Sequence, residues 1–268
     1  MQLRGATELI LVLGAWTFLQ AGTLWLNAAL DKDQGEILMG RSIPVPDAVV
    51  PCGYSGLAVG VCLAFTANAT SGFAAIGCAT LAVLYSHPAT AWKGHPLIGP
   101  TINWIGYGLL SPLGGWAAAS VVPNMRSVIA WLLGSLGVLG CYFAAQSFQR
   151  NEDEIRGYRT LVVTHGPRGA ILAARICIGA GFFGGTILTV IGWLPRLCLI
   201  ALALWYWIDV WLRSWENQID KGGERWARCL AMRLLFTSLL AIGLAYADYL
   251  LAYNTGEPVA GLATAGGH

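Results

Sequence analysis

Apolar residues run along this chain in unbroken stretches rather than in alternation. Runs of about the twenty residues that span a bilayer as helix fall at 7–30, 48–67, 71–86, 101–121, 126–148, 168–191, 194–212 and 229–252. The third is the shortest. Long runs without a two-residue period exclude a membrane barrel, and in lipid only helices or closed barrels satisfy the backbone. The pattern therefore predicts an all-α, polytopic bundle of about eight transmembrane helices. Residues 1–255 form one domain, and the small-residue stretch 256–268 is a flexible tail. The first run, Glu8 to Leu30, is too long for a signal peptide and lacks a small-residue cleavage site, so it reads as a membrane helix.

Composition agrees. The chain has 56% hydrophobic and 11% charged residues and a mean hydropathy of +0.60, against about 25% charged in soluble domains. A net charge of +2 without a basic stripe excludes nucleic acid as a partner. The seven cysteines are scattered through apolar runs without a Cys-x-x-Cys pair, which fits small buried side chains rather than disulfides or zinc ligands.

The connections alternate in character. One set is short and nearly uncharged (67–71, 122–124, 192–195). The other set, 31–47, 87–100, 149–167 and 213–228, is long and charged. The long set, with Arg168 at its edge, holds eleven basic residues against three, Arg4, Arg126 and Arg196, on the opposite side. The positive-inside rule places the long connections in the cytoplasm and both termini outside. The expected location is a bacterial inner (plasma) membrane, with the charged face in the cytoplasm and membrane lipid around the bundle.

Two helix ends on that face carry similar polar pairs. Asn27 precedes Asp31 by four residues, and Asp33 and Glu36 follow; Gln149 precedes Asp153 by four, with Glu152 between them. A spacing of four places both oxygens on one helix face. Carboxylate and amide oxygens sharing a face suit Mg²⁺, which binds few protein oxygens and completes its shell with water and phosphate. Carboxylates at a helix C-terminus are also opposed by the macrodipole, a cost that a cation relieves. Interfacial caps and solvated loop charges are the plainer explanation of the same residues. Arg41, Lys93 and Arg159 lie on the same side. They are ordinary phosphate partners, or else side chains reaching lipid headgroups.

In order along the chain stand Asn27-x-x-x-Asp31, Tyr85-Ser86-His87-Pro88 with Lys93 downstream, the segment Pro96 to Gly108, and Asp153-x-x-x-Gly157-x-Arg159-Thr160-Leu161. This ordered set resembles the UbiA superfamily of intramembrane prenyltransferases over roughly residues 7–250. The resemblance implies a nine-helix bundle with a cytoplasmic cap over a central cavity. It also implies Mg²⁺-dependent ionisation of an isoprenyl diphosphate and attack on the allylic cation by a lipophilic, aromatic-type acceptor. Position by position, it makes Asn27, Asp31 and Asp153 the metal candidates. Asp33, close to where the family has a further acid, Gln149, which stands where its second motif opens with Asp, and Glu152, a compensating acid beside it, complete the metal candidates. Lys93, Arg41 and Arg159 become diphosphate candidates, and Tyr85 and Ser86 lie near the reacting carbon. Asp31, Asp153 and Tyr85 are the catalytic candidates.

Three departures mark a divergent member. Ala28 stands where the family has Asp, Gly35 where it has a further Asp, and Gln149 where its second motif opens with Asp. The first apolar run already ends in the first motif, so the family's first helix is expected to be missing, or the start to have been placed late. Within the spans, Asp209 and Arg213 are expected to pair, Arg175 to reach the diphosphate, Arg233 and Asp248 to extend toward the interfaces, and the tryptophans mainly to anchor the interfaces. A terpene cyclase on the same scaffold and a non-catalytic lipid-binding protein or transporter are the competing readings.

Overall fold

A computed structural model describes residues 5–31, 36–37, 40–41, 44–119, 123–219 and 223–255, the side chains of 36, 37, 40 and 41 excepted. Of the predicted features, Asp33, the side chain of Arg41 and the tail at 256–268 lie outside the described residues. The chain is an all-helical, multi-pass integral membrane protein. Its helices are α1 (Ala6–Asp31), α2 (Val49–Ala67), α3 (Ala69–Ser86), α4 (Ile98–Ile105), α5 (Ser111–Ala117), α6 (Met125–Gly134), α7 (Leu136–Gln146), α8 (Arg150–Ile155), α9 (Leu161–Val190), α10 (Cys198–Leu202), α11 (Trp205–Glu216) and α12 (Gly223–Thr255). A two-residue hairpin, β1 (Glu36–Ile37) with β2 (Gly40–Arg41), is the one sheet among the described residues.

Six rods are long and apolar enough to cross a membrane: α1, α2, α3, α6 with α7, α9 and α12. Two further apolar stretches are broken. A π turn at Gly106–Leu110 separates α4 from α5, and a bend separates α10 from α11. Both coincide with predicted apolar runs, so against the eight predicted runs the described residues have six unbroken candidate spans and two interrupted stretches. The uncharged connections are tight because side chains cap them. Asn68 accepts from the Ser71 amide at 2.8 Å between α2 and α3, and Asn124 accepts from the Ser127 amide at 2.9 Å ahead of α6.

Glycine lets α1 and α2 touch backbone to backbone. A Cβ on Gly22 would meet Gly53 O and Leu57 N, each at 2.7 Å, and one on Gly60 would meet Ala15 O at 2.8 Å. Small residues three and four apart (Gly53, Gly56, Gly60) form a groove of the kind that drives helix association in lipid, where burial of apolar surface supplies no force. Ala15, Leu19, Leu26, Leu57, Ala64 and Ala75 fill the core of this first half. The second half closes around Ile171, Ile178, Ile208, Leu212, Trp215 and Leu230, from α9, α11 and α12. The rods α4–α7 stand between the halves.

The polar residues inside the spans find partners. Asp209 accepts from Arg213 Nε at 2.7 Å, the expected pair, and also from Arg175 Nε at 3.1 Å. Arg175 Nη1 reaches Glu216 Oε2 at 3.0 Å. Arg175 thus joins α9 to α11 instead of turning to the diphosphate face, because two carboxylates sit within its reach and an unpaired charge at that depth is costly. Arg233 lies between the Trp207 and Trp211 rings, 4.2 Å from each, a cation–π sandwich in place of extension to the interface. Asp248 accepts from the Arg196 amide at 2.8 Å and fastens α12 to the 192–197 connection.

Replacing Gly22 by Val is expected to destabilise the protein by about 1–3 kcal/mol, the usual cost of overpacking. Thermal unfolding in detergent measures this; an unchanged midpoint would show that α1 and α2 do not depend on backbone contact.

Candidate active site

The charged end of the bundle holds a cavity of about 370 Å³. Helix α1 contributes Asn27 and Asp31, α3 Tyr85, the 3₁₀ turn Trp92–Gly94 Lys93, α7 Tyr142 and Gln146, and the α8 region Gln149, Asp153 and Arg156. The two helix ends that carry the amide–carboxylate pairs therefore face one space. They are also joined: Arg156 Nη2 donates to the Asp31 carbonyl at 2.9 Å, and Lys93 forms an ion pair with the Asp31 carboxylate.

Local backbone explains how Lys93 arrives there. Ala91 sits at φ 42°, ψ 42°, the left-handed region that a residue with a Cβ seldom adopts. It reverses the chain so that Lys93, buried at 8% exposure, points inward. Gly94 follows because a Cβ there would lie 2.4 Å from the Tyr158 ring. Tyr158 in turn lies with its ring centroid 6.0 Å from Lys93 Nζ, and the Arg159 amide donates to Gly94 O at 2.8 Å. The Lys93 turn and the loop after α8 thus form one cap.

That loop also sorts its side chains. Gly157, at φ +70°, turns the chain out of α8, and the extended residues that follow alternate faces. Tyr158 and Thr160 line the cavity, whereas Arg159 between them is exposed. The structure therefore places Arg156, not Arg159, among the cavity's cations. Thr160 Oγ1 donates to Asp153 Oδ2 at 2.6 Å. Glu152 does not line the cavity and lies 3.7 Å from Arg156. Ser86 is buried and donates to Asn27 Oδ1 at 3.0 Å, so it orients Asn27 instead of opening onto the cavity.

Four tyrosines, Tyr85, Tyr107, Tyr142 and Tyr158, supply the cavity's aromatic lining, and none of the described tryptophans does. Tyr85 on α3 stands beside Asn103 on α4 and Tyr142 on α7, and Gln146 lies one turn beyond Tyr142. Sequence reasoning did not single out Tyr142, Gln146, Asn103 or Arg156. Tyr142 and Gln146 were recoverable only from their spacing of four and three ahead of Gln149.

Burial governs the charges. It pulls the Lys93 ammonium down to about 7, helped by the neighbouring Arg156 guanidinium and opposed by Asp153. It pushes the Asp153 carboxyl above its ordinary value, against the Thr160 hydrogen bond and the charges of Arg156 and Lys93. No group of three or more His, Cys, Asp or Glu side chains forms a metal cluster among the described residues. What the cavity offers is an oxygen-only set, Asn27, Asp31, Gln149 and Asp153, with one carboxylate paired to Lys93. Such a set fits a hard cation that keeps part of its shell as water and phosphate.

Two further spaces adjoin this cavity. One, about 200 Å³, shares Leu24, Asn27, Tyr85, Asn103 and Tyr107 with it; the other, about 440 Å³ and mainly apolar, shares Val138 and Cys141.

Among solved structures, the chain is similar to a UbiA homolog from Archaeoglobus fulgidus. With GPP and Mg²⁺ bound, that protein matches at 13% identity and a TM-score of 0.68, over 90% of this chain and 89% of that one. With DMAPP and Mg²⁺ bound it matches at 12% identity and a TM-score of 0.67, over 90% and 88%. With Cd²⁺ bound it matches at 15% identity and a TM-score of 0.65, over 90% and 88%. None of the curated proteins matches the chain. The sequence pattern of the UbiA prenyltransferase family matches residues 3–235, and the chain belongs to that family.

Proposed function

We propose that this protein ionises an isoprenyl diphosphate with Mg²⁺ and transfers the prenyl group to a lipophilic acceptor inside the membrane. One observation carries the reading: two helix ends bearing amide and carboxylate oxygens face a single capped cavity, beside a buried lysine and an arginine and above apolar space. The Archaeoglobus fulgidus homolog that shares the fold binds GPP or DMAPP with Mg²⁺. By the positive-inside rule the charged end faces the cytoplasm, so the diphosphate enters from the cytoplasmic side of a bacterial inner membrane.

Asn27, Asp31, Gln149 and Asp153 are the residues that would hold the metal, which when bound neutralises charge on the leaving diphosphate. Asp33 and Arg41 stand on the same side of the chain and extend this set by resemblance; Glu152 and Arg159 belong to its outer rim. Lys93 and Arg156 meet the phosphate oxygens. Both are already oriented, by Asp31 and the Asp31 carbonyl, so little reorganisation is needed as charge develops. A polyanion beside Lys93 also holds its amine protonated, which burial alone does not. The bond from the allylic carbon to oxygen breaks with its electron pair passing to the diphosphate. The acceptor's nucleophilic atom then bonds to that carbon and its proton leaves to the departed anion. Tyr85, which lines the cavity beside Asn103 and Tyr142, presents an aromatic face to the cation.

Pyrophosphate release by purified protein, with a panel of prenyl diphosphates, with and without acceptors, tests the reading. Mg²⁺-dependent release with formation of a prenylated acceptor is expected. A cyclised hydrocarbon or alcohol formed without acceptor would identify a cyclase, and absence of release with every substrate would favour a binding or transport protein. Asp31→Asn and Asp153→Asn are each expected to lower turnover by roughly 10²–10³-fold, the scale of losing one preorganised electrostatic group, without loss of folding in detergent. Retained turnover in both would remove them from the site. Arg156→Ala is expected to raise KM for the prenyl diphosphate by about tenfold, equivalent to about 1.4 kcal/mol. An unchanged KM would show that the tie to Asp31 is dispensable.

A further inference from the structure

Helix α12 is the most outward of the long rods, with only 11% of its apolar window buried inside the bundle. It carries Arg225, Arg228 and Arg233 down from the charged end. Arg233 lies five residues, about 7.5 Å, below Arg228, just under the charged rim. It faces the seam between α11 and α12 and lines neither the head cavity nor the spaces beside it.

The basic residues around this seam already hold their counter-charges. Arg213 and Arg175 both donate to Asp209, Arg175 also donates to Glu216, and Arg228 Nη1 lies 3.4 Å from Glu224 Oε1. Arg233 is different. Its Nε and Nη1 are buried and have no hydrogen-bond partner among the described residues. The Trp207 and Trp211 rings, each 4.2 Å away, cover the flat faces of the guanidinium. Cation–π attraction fixes its plane, but it gives the N–H donors at the edge no acceptor. Such donors are costly beside lipid unless something bonds them.

The surface around that edge is apolar and open. Trp207 is 42% exposed and Phe236 54%, and the two rings pack edge to face with centroids 6.3 Å apart. Below Arg233, Phe236, Leu240 and Gly243 continue at spacings of three and four on the same side of α12. Gly243 leaves a shallow track there, since a Cβ on it would meet nothing within 4 Å. A free anion in water makes no use of such a strip. A phospholipid does, because its phosphate and its acyl chain are joined end to end. Arg225, exposed and nearer the charged end, forms no ion pair among the described residues. A second unbalanced positive charge favours a headgroup of net negative charge.

We propose that the α11–α12 seam binds one anionic phospholipid of the cytoplasmic leaflet. Its phosphodiester meets the edge of the Arg233 guanidinium, its headgroup lies toward Arg225, and one acyl chain runs over Phe236, Leu240 and Gly243. The lipid supplies the acceptors that the protein does not, and it clips α11 to α12 from outside. The site is separate from the diphosphate cavity and does not depend on the prenyl-transfer reading.

Native mass spectrometry of the detergent-purified protein, titrated with dioleoylphosphatidylglycerol or dioleoylphosphatidylcholine, tests the site. The wild type is expected to hold one phosphatidylglycerol about fivefold more tightly than phosphatidylcholine, the weight of one basic residue against an anionic headgroup. Arg233→Gln is expected to lose that preference. Arg228→Gln, whose guanidinium is already paired with Glu224, is expected to keep it. Arg233→Lys retains a charge between the indoles without the planar fork, so it serves even where the glutamine variant fails to fold; it is expected to weaken phosphatidylglycerol binding by about threefold. Equal binding of the two lipids by the wild type would overturn the site. So would undiminished phosphatidylglycerol binding in Arg233→Gln or Arg233→Lys, or loss of the preference in Arg228→Gln, which would mark general attraction to a basic surface.

Discussion

The structure depends on keeping buried charge at the end of an otherwise apolar bundle. Asp31 and Asp153 sit on different helices around one cavity, and leaving either carboxylate alone there would be costly. The fold answers with partners brought from elsewhere in the chain: Lys93 for the Asp31 carboxylate, Arg156 for the Asp31 carbonyl, and Thr160 for Asp153. Those contacts also draw α1, the Lys93 turn and the loop after α8 into one cap. The interactions that make the charges tolerable are thus the ones that give the site its geometry.

The remaining architecture serves this cap. Glycine contacts let α1 and α2 pack closely, which gives the helix bearing Asn27 and Asp31 a firm backing. The Arg175–Asp209–Glu216 network satisfies charge on the far side of α9 and leaves the cavity's own cations to Lys93 and Arg156. The oxygen set is modest, two carboxylates and two amides, one carboxylate already paired. On the proposed reading, a site so low in negative charge acquires its full complement of charges only with a cation and a polyanion together, which would make metal and diphosphate binding mutually dependent.

Much of this was legible in the chain. The multi-pass helical bundle was legible because run length sets a membrane span, and six of the eight apolar runs became unbroken rods among the described residues. Asn27 with Asp31, and Gln149 with Asp153, were visible because a spacing of four on a helix has one geometric meaning. Lys93 was visible only as part of an ordered motif set, since nothing in its neighbourhood announces the left-handed Ala91 that turns it inward. The preference for Arg156 over Arg159 depends on the turn at Gly157 and the alternation after it, a three-dimensional phase that spacing does not encode. Tyr142 and Gln146 sit in a long apolar run and read as ordinary helix interior. Arg175 was misplaced because its partners, Asp209 and Glu216, are distant in sequence.

The central claim, that the α1 and α8 ends share one ligand, is tested most directly by an experimental structure with an unreactive prenyl thiolodiphosphate and Mn²⁺ in place of Mg²⁺. The account predicts anomalous metal density among Asn27, Asp31, Gln149 and Asp153, with the phosphate oxygens on Lys93 and Arg156. Metal and diphosphate bound elsewhere, or held by one of the two helix ends alone, would contradict it.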